Sequence, residues 1–214
     1  MTDASPVEQA VRTEIELRGP ARVFVGFSGG LDSTAVLLAA CKVVGTDAVV
    51  ALHANHQLQD EADAFETHCV SVCSALGVRL ERAKVTVGAG NVEAAARDAR
   101  YAFFAEFLDA RDVLLLGHHA EDAVETALLR LVQGRGLLTV PPAGRLGEGE
   151  FVRPLLGFAK SELRDYVTAQ RGSWVVDPTN LDSSLDRNYL RPEVTPRLRT
   201  RWPLLEQKVA RVAE

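Results

Sequence analysis

Cysteine is scarce: Cys41, Cys69 and Cys73 are the three in 214 residues, and no two form a C-x-x-C pair. That odd set argues against a disulfide framework and a zinc ribbon. Cys69 and Cys73 stand four apart on a predicted helix whose apolar side also carries Phe65, Val72 and Leu76, so both are expected buried as small hydrophobes. Long apolar runs are missing too. The longest, such as Ala35 to Ala40 and Val113 to Leu116, fall far short of a membrane span, and the N-terminus has acids where a leader has its basic and apolar regions. A soluble, cytoplasmic chain with no membrane partner is expected. An excess of positive charge is also absent, the net being −5. The average hides a gradient: Arg187, Arg191, Arg197, Arg199 and Arg201 face the single acid Glu193 between residues 187 and 201. A local basic stretch of this kind suits a nucleic-acid phosphate or a solvated helix face.

What is present alternates. Arg22 to Phe27 is a short β-branched and aromatic run, followed by Ser28-Gly29-Gly30 and an apolar stretch of helical length from Leu31 to Val44. Ala48 to Leu52, Val78 to Val87 and Val113 to Leu116 repeat the strand signal. Helical patterns at Asp60 to Leu76, Asn91 to Leu108 and His119 to Val132 separate them, with Gly77 and Gly134 placed to end two of these. Repeated strand and helix units predict an α/β fold: a doubly wound, mainly parallel sheet with helices on both faces. Gln133 to Gly149 holds five glycines and Pro141-Pro142 and reads as a long loop. Beyond it come a short Phe151 to Leu156 segment, a helix from about Ser161 to Gln170, a turn at Asp177-Pro178-Thr179-Asn180 and a basic helical end from Asp186. Hydrophobic residues make up 47% of the chain, enough for one core with a small appended unit. Residues 1–156 are expected as the main domain and 157–214 as a C-terminal helical extension.

Ser28-Gly29-Gly30-Leu31-Asp32-Ser33 lies between a strand and a helix, where backbone N–H groups and the helix dipole converge on an anion. The glycines let the backbone approach a phosphate, and Ser28 and Ser33 add hydroxyl donors. Asp32 would repel that phosphate unless a cation lay between them, which points to magnesium held by Asp32. The loop is neither the Gly-Lys-Ser/Thr loop nor the G-x-G-x-x-G fingerprint.

This loop resembles the S-G-G-x-D-S signature of the PP-loop ATP pyrophosphatases, which cleave ATP between the α and β phosphates. Further elements resemble the tRNA(Ile)-lysidine synthetase branch of that family. They are His53-Ala54-Asn55-His56-Gln57-Leu58, Ala96-Arg97-Asp98-Ala99-Arg100-Tyr101 and Gly117-His118-His119-Ala120-Glu121-Asp122-Ala123-Val124-Glu125-Thr126. Arg153-Pro154-Leu155-Leu156, then Trp174 with Asp177 and Asn180, then Arg187-Asn188-Tyr189-Leu190-Arg191 complete the series, so the likeness runs from Val23 to Trp202. Many members continue into C-terminal domains that grip tRNA, so the likeness implies a short form, whether a minimal enzyme, an excised catalytic domain or a relative whose substrate has changed.

The resemblance implies an enzyme that uses ATP and Mg2+ to adenylate the C2 oxygen of the wobble cytidine of an isoleucine tRNA with a CAU anticodon. The ε-amine of L-lysine then displaces AMP to give lysidine. A carbonyl oxygen leaves poorly, so adenylation supplies the leaving group that amine attack requires. Asp32, Asp122, Glu125 and Arg187 are the implied catalytic set. Ser28, Gly29, Gly30, Leu31, Asp32, Ser33, His53 and His118 are implied at the nucleotide, and Arg97, Arg100 and Arg191 at tRNA. Asp122 and Glu125, three apart at a helix start, share a face and can hold one ammonium group, or can serve only to complement the helix dipole. A homodimer is compatible with the sequence.

Three departures stand out: Glu121-Asp122 replaces paired aspartates, Ala123 replaces a glutamine, and Gln57-Leu58-Gln59 replaces G-L-R. Two other readings therefore compete. One is a different PP-loop enzyme, a tRNA thiolase or an amidotransferase-like synthetase, and the other is an ATP-binding module without turnover.

Overall fold

A computed structural model describes residues 4–57, 62–86, 92–136, 140–177 and 186–212. The expected helix starts at Asp60 and Asn91, the strand end at Val87, Leu58 and Gln59, and Pro178 to Asn180 lie outside the described residues.

Six strands form one sheet: β1 (Arg22–Gly26), β2 (Val49–Asn55), β3 (Arg79–Lys84), β4 (Asp112–Leu115), β5 (Ala143–Leu146) and β6 (Gly149–Val152). Their order is β3-β2-β1-β4-β6-β5, parallel except for the β5–β6 edge. The order reverses between β1 and β4, and there the connecting loops part to leave a crevice at the carboxyl ends of the strands.

Strand residues alternate between two cores. Val23, Val25, Val113 and Leu115 face α1 (Pro6–Arg18), α2 (Leu31–Val44), α3 (Ala62–Leu76) and α6 (Lys160–Ala169). Phe24, Leu52 and Leu114 face Phe103 and Phe104 at the end of α4 (Val92–Ala105) and Leu108 just beyond it. Helices therefore cover both faces, as the alternation predicts. α2 is apolar nearly all round and buries nine residues, because it lies under both α1 and α6. α5 (Ala120–Val132) follows β4, and the C-terminal α7 (Asp186–Tyr189), α8 (Thr195–Arg201) and α9 (Leu205–Val212) complete the chain, α9 packing on α5. Leu190–Val194 forms a π turn between α7 and α8.

Two elements differ from the sequence reading. α1 carries its own start signal, a capping box in which Ser5 and Glu8 satisfy each other's backbone N–H groups, and Val7, Val11 and Ile15 form its buried stripe. The loop expected from Gln133 to Gly149 contains β5, which pairs with β6 through a tight turn at Gly147, φ +57°. The Phe151 ring fills the space a side chain at Gly144 would need, so the glycine that looked like a loop residue sits inside a strand. No helix of the described residues is long and apolar enough to cross a membrane.

Candidate active site

The crevice at the β1/β4 reversal is a cleft of about 410 Å³. Ser28, Asp32, His53, Arg100, His118 and Arg187 line it, together with Gly30, Ser33 and Asp122.

Its floor is the turn from β1 into α2. Gly29 has φ +82°, a conformation glycine adopts without cost. Gly30 caps α2 with no side chain satisfying the first-turn amides, so these donors are left for a ligand. The hydroxyls of Ser28 and Ser33 meet at 3.1 Å, and Ser33 also accepts from the Ser28 N–H at 3.2 Å and donates to the Gly30 carbonyl at 3.0 Å. These bonds hold the loop's shape. Leu31 turns its side chain into the core, so it contributes backbone only.

Asp32 stands in the first turn of α2 with Oδ1 buried and lacking a hydrogen-bond partner. Its Oδ2 lies 3.5 Å from Nε2 of His119. Gly117 permits this approach of the β4–α5 connection, since a Cβ there would lie 2.6 Å from the Asp32 carbonyl oxygen.

Two histidines of the cleft are held in opposite senses. His53 donates from Nδ1 to the Phe27 carbonyl at 2.9 Å, which leaves a buried, unpartnered Nε2 as an acceptor, and burial pushes its pKa down. His118 accepts at Nδ1 from Nε of Arg153 at 3.1 Å. Burial, with the nearby guanidiniums of Arg153, Arg100 and Arg187, lowers it to about 3. His56 is likewise depressed to about 4, by burial and then by Arg100 and His53.

His119, just before α5, behaves otherwise. Burial pulls its pKa down, but Asp32, Glu121 and Asp122 overcome that and raise it to about 10. Glu121 Oε2 lies 2.8 Å from His119 Nδ1 and Glu121 Oε1 is 3.0 Å from Arg199, and these cations outweigh burial to hold that carboxyl at about 2.

The α5 acids are engaged within the chain. Asp122 accepts the His119 N–H at 3.0 Å as a helix-start acid does, while lining the cleft and lying 4.0 Å from Arg191. Glu125, 1% exposed, takes two hydrogen bonds from Arg191. The basic C-terminal stretch thus meets acids of α5 through Arg191 and Arg199.

Of the residues singled out in the sequence, the structure gathers Ser28, Gly30, Asp32, Ser33, His53, Arg100, His118, Asp122 and Arg187 around one cleft. Glu125 and Arg191 form their pair beside it, and Arg97 is exposed against Asp98 outside the lining. Arg100 is pushed below its ordinary pKa by burial and by Arg97, Arg153 and Arg187. Sequence reasoning missed Arg153 as a site residue. Its guanidinium reaches His118, the Tyr101 hydroxyl at 2.7 Å and the Pro141 carbonyl. An arginine ending a buried strand was the available signal, since charge is rarely fully buried without a partner. Among the described residues no group of three or more His, Cys, Asp or Glu is arranged to hold a metal unaided. Cys69 and Cys73 are buried, and burial raises both thiols to about 12.

The chain is 47% identical over 197 residues to a tRNA(Ile)-lysidine synthase of Pseudomonas syringae pv. tomato, covering 89% of this chain and 44% of that protein. It is 46% identical to the tRNA(Ile)-lysidine synthase of Pseudomonas aeruginosa, again over 88% of this chain and 44% of the other. The chain therefore spans less than half the length of these curated relatives. In fold it is similar to the U34-tRNA thiolase NcsA of Methanococcus maripaludis, with a TM-score of 0.74 at 14% identity over 97% of this chain and 77% of that one. A profile of the PP-loop domain matches residues 4–198, and with the glycine turn, uncapped helix and sheet reversal described above, the chain belongs to the PP-loop domain family.

Proposed function

We propose that this chain is the catalytic part of a tRNA(Ile)-lysidine synthase. Residues 1–156 supply the ATP-binding unit and 157–214 a helical extension beside it. The reaction is adenylation of the C2 oxygen of the wobble cytidine in isoleucine tRNA with a CAU anticodon, followed by attack of the lysine ε-amine and departure of AMP. The observation that carries the reading is the cleft itself, lined by the start of α2, where no side chain caps the amides, by Asp32, and by Arg100 and Arg187. Relatives of that name at 44 to 47% identity support it.

The α2 amides and the Ser28 and Ser33 hydroxyls hold the phosphates of ATP where the helix dipole favours negative charge. Arg100 and Arg187 oppose the charge that builds up as the cytidine oxygen bonds to the α-phosphate and pyrophosphate leaves. His53, whose Nε2 offers a lone pair, takes a donor of the nucleotide. Asp122, which lines the cleft, receives the lysine ammonium and takes the proton that must leave before nitrogen can attack C2, and Glu125, held by Arg191 beside the cleft, joins it when that pair opens. Arg97, exposed outside the cleft, and Arg191, a third exposed within its pair with Glu125, meet tRNA phosphate.

Magnesium fits this donor set. One carboxylate oxygen with no partner, completed by phosphate and water oxygens, is the coordination that hard cation takes, and Asp32 Oδ1 supplies it. When bound, the ion offsets phosphate charge. The raised thiols of Cys69 and Cys73 favour this reading over sulfur transfer, which needs a thiolate.

The test is release of AMP and pyrophosphate from ATP by the purified chain with magnesium, tRNA carrying a CAU anticodon, and lysine. AMP release that requires both tRNA and lysine is expected. Turnover indifferent to lysine would overturn the assignment, and ATP binding without any pyrophosphate would favour a non-catalytic module.

A further inference from the structure

We infer that Arg153 is a positioning residue that fixes His118 as a hydrogen-bond donor to the cleft, for a phosphate or carbonyl oxygen of the substrate, and so excludes it as a general base. The substrate assignment rests on the function proposed above; the state of His118 in the free protein does not.

An arginine Nε–H can only donate. Because it points at Nδ1 of His118 from 3.1 Å, that nitrogen must carry a lone pair, and the single proton of the neutral ring sits on Nε2. Arg153 is itself immobilised. It is 8% exposed, donates to the Tyr101 hydroxyl and the Pro141 carbonyl, and lies over the Phe151 ring at 4.4 Å. Four contacts from four different segments leave the guanidinium little freedom to turn away. Nε2 is the edge of His118 left for the cleft that the side chain lines.

The surroundings suit donation. Arg100 and Arg187 line the same cleft, so the oxygen drawn there is anionic or strongly polarised, and a neutral N–H adds a directed bond to their charge. The same guanidiniums make protonation of His118 costly, so it stays a donor with one proton and has none to spare. His53, which lines the same cleft, is fixed in the opposite tautomer by the Phe27 carbonyl, so the two rings present one acceptor and one donor. This arrangement orients a ligand with its own donor and acceptor in one sense only.

Long-range proton–nitrogen correlation spectra of the imidazoles, taken on the full chain without nucleotide or tRNA, test the state of His118. The expected result is a proton on Nε2 and a bare Nδ1, unchanged from pH 7 down to about pH 5. In Arg153→Met the ring should sample both tautomers, while Tyr101→Phe, which removes a neighbour of Arg153 but not its Nε–H, should keep the wild-type pattern. A doubly protonated ring or a proton on Nδ1 at neutral pH overturns the inference whatever the enzyme's substrate. If Arg153→Met does not fold, the wild-type and Tyr101→Phe spectra still decide. For the functional half, His118→Gln places an amide donor near the Nε2 position and His118→Asn near Nδ1. Pyrophosphate release should fall about 100-fold in the asparagine variant, the typical loss for one such donor, and clearly less in the glutamine variant. Equal losses in both would point to a base and contradict the assignment.

Discussion

Arg191 grips Glu125 with two hydrogen bonds, Nε to Oε1 at 2.7 Å and Nη2 to Oε2 at 2.9 Å, across 66 residues of sequence. Glu125 is 1% exposed while Arg191 remains about a third exposed, so the pair ties the C-terminal π turn to the buried side of α5. Removing one partner leaves a charge in the interior. Arg191→Met should cost about 3 kcal/mol, the low end for a broken buried pair because Arg191 is partly solvated. The Glu125→Met, Arg191→Met double variant should recover most of that loss in urea unfolding. A single variant as stable as wild type would show that the pair is not formed in solution.

Gln57 adopts φ +53° where the resembling branch has glycine. Its N–H bonds to Asn55 Oδ1 at 3.0 Å, a bond that glycine would keep. Gln57→Gly should therefore stabilise the protein by about 0.5–1 kcal/mol, seen as a small rise in Tm. A fall in Tm would mean that the side chain contributes more than the backbone conformation costs.

Gly117→Ala should act in the opposite direction. The new Cβ would sit 2.6 to 2.8 Å from backbone atoms of Asp32 and Ser33, atoms that cannot move without opening the phosphate loop. A stability loss of about 1–3 kcal/mol is expected, together with a steep loss of pyrophosphate release. Full activity in a folded variant would show that the β4–α5 connection can shift without disturbing the loop.

How far the site could be foreseen follows from what each residue depends on. The strand, glycine turn and α2 helix were legible because apolar runs and the S-G-G-x-D-S spacing are local, and the parallel sheet covered by helices on both faces followed from alternation, whereas the strand order did not. α1 was missed because its composition is polar, although Ser5 and Glu8 mark its start and three spaced apolar residues mark its face. β5 was missed because its glycine is rescued by Phe151, seven residues further on. Arg153 with His118, and Arg191 with Glu125, are pairings across 35 and 66 residues that no local pattern announces. The expected joint hold of Asp122 and Glu125 on an ammonium group rested on helix spacing. The fold adds that Arg191 already touches Glu125 and approaches Asp122.

Acid should weaken the fold through the cleft histidines. His56 and His118 have folded pKa values near 4 and 3, below the ordinary 6.5, so between those limits the unfolded chain binds protons that the folded chain refuses. Their contribution is complete above pH 6.5 and lost as pH falls toward 4, while that of His119, raised to about 10, is complete below pH 6.5 and lost as pH rises toward 10. Denaturant midpoints measured from pH 7.5 to 4.5 should decline, and the His56→Asn, His118→Asn double variant should decline less. Identical slopes would remove the histidines from the explanation.

In the proposed function, ATP is cleaved at the Ser28 to Ser33 loop to place lysine on a tRNA cytidine. Mass spectrometry of nucleosides from isoleucine tRNA with a CAU anticodon, after incubation with the chain, ATP, magnesium and lysine, tests it most directly. The wobble cytidine should gain the mass of lysine less water, and Asp32→Ala, still folded, should leave it unmodified. An unmodified cytidine with the wild-type chain, or a lysine adduct made equally well by Asp32→Ala, would contradict it.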